Sequence, residues 1–105
     1  MDIVIKLQDG IVTKIETDSE YEQEKDYYGY TVRLFDNIYI HTTGNDGRKY
    51  RVHMRARDVE LTTFLSFFYG VDFSNMTMQE FRDALLNHLG GLNLYGVVTV
   101  SDEFL

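Results

Sequence analysis

Along the first half of the chain, apolar and polar residues alternate with a period of two, the pattern of strands that bury one face and wet the other. Ile3, Ile5 and Leu7 start the pattern, Ile11 to Ile15 continue it, and Tyr28 to Leu34, Ile38 to Thr42 and the stretch from Tyr50 extend it. Three short interruptions, Gln8-Asp9-Gly10, Phe35-Asp36-Asn37 and Asn45-Asp46-Gly47, read as hairpin loops.

Register tests each loop, because a slip of one residue turns every side chain to the wrong face. A three-residue first loop pairs Leu7 with Ile11, Ile5 with Thr13 and Ile3 with Ile15, whereas a two-residue Asp9-Gly10 turn mixes charged and apolar residues. The second loop pairs Leu34 with Ile38, Val32 with Ile40 and Tyr30 with Thr42. The third pairs Thr42 with Tyr50, Ile40 with Val52 and Ile38 with Met54. Left-handed backbone is expected at Gly10, Asn37 and Gly47.

Beyond residue 57 the spacing becomes helical. From Asp58 as N-cap, Leu61, Phe64, Leu65 and Phe68 recur at i, i+3, i+4 and i+7, with Gly70 as a left-handed stop. A second helix is signposted by a Thr77/Glu80 capping box and a Met76/Phe81 staple. Its apolar stripe is Met78, Phe81, Leu85 and Leu89, with His88 in the last turn and Gly90 closing it. The β-branched tail at 95–100 is expected to return as a sixth strand. The fold class is therefore α+β: an antiparallel five-stranded meander, two helices and a short C-terminal strand, in one domain spanning 1–105. Phe64, Phe68, Phe81 and Leu85 are expected to pack on Val32, Ile40 and Val52.

Composition supports one self-sufficient domain, since 105 residues at 44% hydrophobic and 14% aromatic content supply one core and leave no room for two. Without cysteine there is no disulfide or thiolate chemistry, which points to a reducing cytoplasm. The first residues, MDIVIKLQDG, read as neither signal peptide nor membrane span, so no membrane association is expected. A net charge of −7 disfavours indiscriminate attraction to nucleic acid or anionic lipid. The ends are acidic, and residues 33–57 carry six basic side chains against two acidic ones.

That basic middle supplies one candidate surface. The register puts Thr31, Arg33, Tyr39, His41, Arg51, His53 and Arg55 on the face opposite the core, where cations and rings interleave across strands. A solvated strand face accounts for such residues, and so does a binding surface, since arginine and aromatic residues are enriched in interface hot spots. Two imidazoles beside arginines also fit acid–base cleavage of RNA, although the register places no carboxylate here to orient them. His41 and His53 are at most two ligands where catalytic zinc takes three, so neither metal nor other cofactor is expected. Neither a phosphate-binding glycine loop, nor a zinc-protease motif, nor a nucleophile elbow is present.

The other candidate is the acidic run Glu16, Asp18, Glu20, Glu22, Glu24 and Asp26, interleaved with Tyr21 and Lys25. It reads either as a solubilising loop or as a contact for a basic groove, with Tyr21 as apolar anchor. Phe67, Tyr69, Tyr27 and Phe104 also fall outside the core stripes. In its general make-up, acidic, cysteine-free and rich in tyrosine, the chain is similar to small phage-encoded inhibitors of host defence and to bacterial immunity proteins. The likeness implies an antagonist of a nucleic-acid-binding defence protein or of a toxin. The expected function is thus non-enzymatic: to bind and inhibit a protein with a basic surface through the acidic run. The alternatives are a module that binds or cleaves nucleic acid with the basic face, and an assembly subunit pairing through edge strands.

Overall fold

Alternating stretches do become strands and helically spaced ones helices, but two bulges change which residues meet. The computed structural model describes residues 3–18, 21–24, 31–92 and 99–104. In chain order these form β1 (Ile5–Lys6), β2 (Gly10–Asp18), β3 (Tyr21–Glu24), β4 (Thr31–Gly44), β5 (Lys49–Glu60), α1 (Leu61–Leu65), a 3₁₀ turn (Ser66–Phe68), α2 (Met78–Leu92) and β6 (Thr99–Phe104). The strands make one antiparallel sheet in the order β1-β2-β4-β5-β6, and β3 continues the line of β2 along the same edge of β4. The α+β class holds: an antiparallel meander is followed by helices, with β6 returning beside β5. Of the expected 95–100, Thr99 and Val100 fall in this strand, which runs on to Phe104, and 95–98 fall outside the described residues.

The third hairpin forms in the expected register, with Thr42 opposite Tyr50, Ile40 opposite Val52 and Ile38 opposite Met54. Gly44 N donates to Arg48 O (2.8 Å), Gly47 N donates to Gly44 O (2.9 Å), and Gly47 takes φ 84°. The first loop differs. Ile5 pairs with Val12 and Lys6 with Ile11, and Leu7 N donates to Gly10 O at 2.8 Å, so Gln8 and Asp9 form the turn. Gly10 opens β2 without a positive φ. The reason is a bulge between Val12 and Lys14, which ejects Thr13 and lets both Val12 and Ile15 face the core. Thr13 Oγ1 then donates to the His41 carbonyl (3.3 Å).

The second loop does not exist. β4 runs unbroken through 35–37, with Asn37 in the ladder between Asp18 and Arg55. Asp36 sits in a second irregularity, between the pairs Phe35/Val59 and Asn37/Arg55. Phe35 explains the difference: fully buried, its ring meets Phe64 edge-on at 5.2 Å, a position no surface hairpin tip can hold. The pairings expected across that loop are replaced by β4 with β2, β3 and β5.

β5 persists to Glu60, so Asp58 is a strand residue and α1 starts without a side-chain cap. So short a helix is held by packing rather than capping. Phe64 is fully buried, Leu61, Leu65 and Phe68 pack against the core, and Gly70 reverses the chain at φ 68°. The α2 capping box is reciprocal: Glu80 N donates to Thr77 Oγ1 (3.1 Å) and Thr77 N to Glu80 Oε1 (3.2 Å). Gly90 does not stop the helix, which continues to Leu92 because Gly90 stays out of the left-handed region. His88 does not serve the helix end; its ring lies 5.2 Å from Phe67 and its Nε2 3.3 Å from the Thr63 carbonyl, joining α2 to α1.

The core lies between one sheet face and the helices. Ile5, Leu7, Val12, Ile15, Phe35, Ile38, Ile40, Met54, Ala56 and Val59 meet Phe64, Phe73, Phe81, Leu85 and Leu89. Of the expected core, Phe64, Phe81, Leu85 and Ile40 are buried, Phe68 and Val52 are half-buried against it, and Val32 stands outside it beyond the second bulge. Phe67, read as surplus, belongs here too, with its ring 5.9 Å from that of Phe81, while Tyr69 is exposed. The Gln8-Asp9 turn ties the hairpins to α2. Gln8 N donates to Met76 O (2.7 Å), Asp9 Oδ1 accepts from Met78 N (2.7 Å), and Asp9 O accepts from Asn45 N (2.9 Å).

Candidate binding face on the open side of the sheet

Because α1, the 3₁₀ turn and α2 all pack on the core side, the opposite side of β2, β4 and β5 carries no helix among the described residues. Register assigns three rows to this outer face. β2 contributes Lys14, Glu16 and Asp18; β4 contributes Asn37, Tyr39, His41 and Thr43; β5 contributes Lys49, Arg51, His53 and Arg55. β6 adds the positions of Thr99, Ser101 and Glu103, opposite Arg55, His53 and Arg51.

Direct pairing of Tyr39 with His53 stacks their rings at 4.5 Å and 16°. Arg51, one step along β5, places its Cζ 5.5 Å from the Tyr39 ring centroid, within cation–π range. His53 Nε2 lies 2.8 Å from Asn37 Oδ1, which fixes the imidazole from its far end. A second group forms around Glu16. Its Oε1 is 2.9 Å from Lys14 Nζ and 3.1 Å from His41 Nε2, the latter a close contact set off the line of a hydrogen bond. The hydrogen bond from Lys14 holds the Glu16 carboxyl below the usual glutamate range; burial opposes this, and the Lys14 and His41 charges reinforce it.

Tyr39, His41, Arg51, His53 and Arg55 therefore share one face as expected, but Arg33 does not join them. The alternation reverses at Asp36, so Arg33 shares the side of Phe35, and on the ladder it pairs with Glu22. The acidic run is not one loop. Glu16 and Asp18 belong to β2, and Tyr21, Glu22 and Glu24 belong to β3. Glu20, Asp26 and Tyr27 lie outside the described residues, as do the side chains of Tyr21, Glu22, Glu24, Thr31 and Phe104.

Contrary to the expected register, a carboxylate does stand beside an imidazole on this face: Glu16 lies against His41. Its signal was present, since Lys14, Glu16 and Asp18 continue the period of two past the apolar part of the strand. Asn37, read as a turn residue, instead orients His53.

Chemically the face offers a rigid ring stack, a hydrogen-bonded imidazole at His53 and charges of both signs. Among the described residues no group of three or more potential ligands gathers to hold a metal ion, and no helix is long and apolar enough to cross a membrane. Comparison with protein-family models, with curated proteins and with solved structures finds no match to this chain.

Proposed function

We propose that this protein is a non-enzymatic binding protein that occupies, and so blocks, another protein through the outer face of its sheet. The supporting observation is the chain Arg51, Tyr39, His53, Asn37, in which arginine and tyrosine are braced by stacking and a hydrogen bond on adjacent strands. Such residues dominate interface energetics, and strands hold them with little ordering cost on binding. Beside this centre, Glu16 and Asp18 supply two carboxylates among Lys14, Lys49, Arg51 and Arg55, and the whole-chain net charge of −7 favours encounter with a basic partner surface. The blocked partner is thus a protein with a basic surface, such as a nucleic-acid-binding defence protein or a toxin. The absence of cysteine fits action in the cytoplasm.

A second reading has one observation in its favour. Lys49, Arg51, His53 and Arg55 occupy successive outward positions of β5 next to Tyr39, an arrangement that also suits single-stranded nucleic acid. Against it stand the adjoining carboxylates and the net charge of −7. Affinity capture from the native source separates the two. The protein-binding reading expects one partner that survives nuclease and is lost with Tyr39→Ala or Arg51→Ala. Recovery abolished by nuclease favours nucleic acid.

A further inference from the structure

β1 is an edge of the sheet, paired only with β2 among the described residues. Along it, between the strand and the segment after the 3₁₀ turn, runs an open groove of about 340 Å³ whose apolar lining includes Val4, Phe68, Val71 and Phe73. Val4 is 75% exposed and Val71 46%, and Tyr69 nearby is 75% exposed. Exposed valines beside an open strand edge form a surface that backbone pairing and apolar contact both favour covering.

We infer that this edge pairs with the same edge of a second copy of the chain, forming a two-fold dimer whose sheet runs on from β1 to β1. The charges of the groove select this occupant. Lys6 and Asp72 both line it and are opposite in sign, and Lys6 has no ion-pair partner among the described residues. A two-fold axis repeats each contact, so a surface carrying both signs complements itself. Two β1 strands laid antiparallel about Ile5 set Val4 of each copy against Lys6 of the other. There the lysine stem covers the valine, and the ammonium can turn toward the second copy's Asp72. Asp72 is already ordered for this role, its Oδ1 accepting from Ser74 N (2.9 Å) and Ser74 Oγ (2.7 Å). The outer binding face is left clear, because the pairing uses the edge of the sheet.

Sedimentation equilibrium on the full chain tests the inference, with circular dichroism to confirm that each variant folds. The wild type should dimerise reversibly. Val4→Lys should weaken the dimer, and Lys6→Asp and Asp72→Lys should each weaken it at least about tenfold by setting like charges across the axis. An equimolar mixture of the Lys6→Asp and Asp72→Lys chains should regain dimer, since both contacts then join unlike charges. That recovery separates a designed contact from mere loss of folding. A wild type that stays monomeric at the highest attainable concentration overturns the inference. So does a dimer untouched by Val4→Lys, or a mixture that stays monomeric. Protection of β1 amides that appears only with a different partner protein assigns the edge to that partner, and overturns self-pairing too.

Discussion

Gly47 and Gly10 both sit at hairpin ends, yet different forces require glycine there. At Gly47 the backbone is left-handed and nothing lies within 4 Å of where a Cβ would stand, so Gly47→Ala should cost about 1 kcal/mol through backbone strain alone. At Gly10 the φ is ordinary, but a Cβ would stand 2.7 Å from both Met78 Sδ and the Thr43 carbonyl oxygen. The sulfur can move and the backbone oxygen cannot, so Gly10→Ala should cost about 1–3 kcal/mol by overpacking. Urea unfolding of both variants checks this, and Asn should rescue position 47, where it tolerates left-handed backbone, but not position 10. A neutral Gly10→Ala would mean that Gly10 stands further from the Thr43 carbonyl of β4 than described. The sequence made Gly47 legible through local turn chemistry. It could not reveal the constraint on Gly10, which comes from a backbone oxygen 33 positions away.

Glu16 also belongs to the scale of single residues. Its carboxyl is held below the ordinary glutamate range when the chain is folded, first by the Lys14 hydrogen bond. A group with a depressed folded value adds stability above its unfolded value and loses it as pH falls through the folded one. The Glu16 carboxyl signal should therefore titrate below ordinary glutamate, and Lys14→Met should move its midpoint upward. An unchanged midpoint would remove Lys14 as the cause.

Among the elements, those whose signals are local were readable, and those set by distant packing were not. The α2 capping box is written within four residues and forms as expected. The third hairpin likewise carries its register in its own flanks. The bulges at Thr13 and Asp36 left no local mark, because each exists to bring an apolar neighbour, Ile15 or Phe35, onto the core. Alternation carried across Asp36 therefore put Arg33 on the wrong face. The start of α2 has a second, non-local support in Asp9, whose carboxylate accepts from Met78 N across the fold. Asp9→Ala should cost about 1 kcal/mol, near the usual worth of a helix N-terminal cap. Phe81 anchors the same helix between the rings of Phe67 and Phe73, and Phe81→Ala should cost roughly 3–5 kcal/mol. A loss below about 1 kcal/mol in thermal or urea unfolding would mean that this aromatic cluster does not hold α2 to the sheet.

At the scale of the whole molecule, asymmetry between the two sheet faces organises the account. One face is closed by helices and the other presents Tyr39 between Glu16 on β2 and the stacked His53 on β5, with Arg51 beside it. Charge layout in the sequence pointed to a segment; the fold redistributes that segment over β2 and β3, and makes Glu16 part of the face itself. The most direct test titrates the captured partner into isotope-labelled protein and follows the backbone amide signals. Shifts should concentrate on Tyr39, His41, Arg51 and His53, with weaker ones at Glu16 and Asp18. They should vanish with Tyr39→Ala while the rest of the spectrum is kept. Shifts confined to α2 or the β1 edge, with the outer face silent, would contradict the proposed binding face.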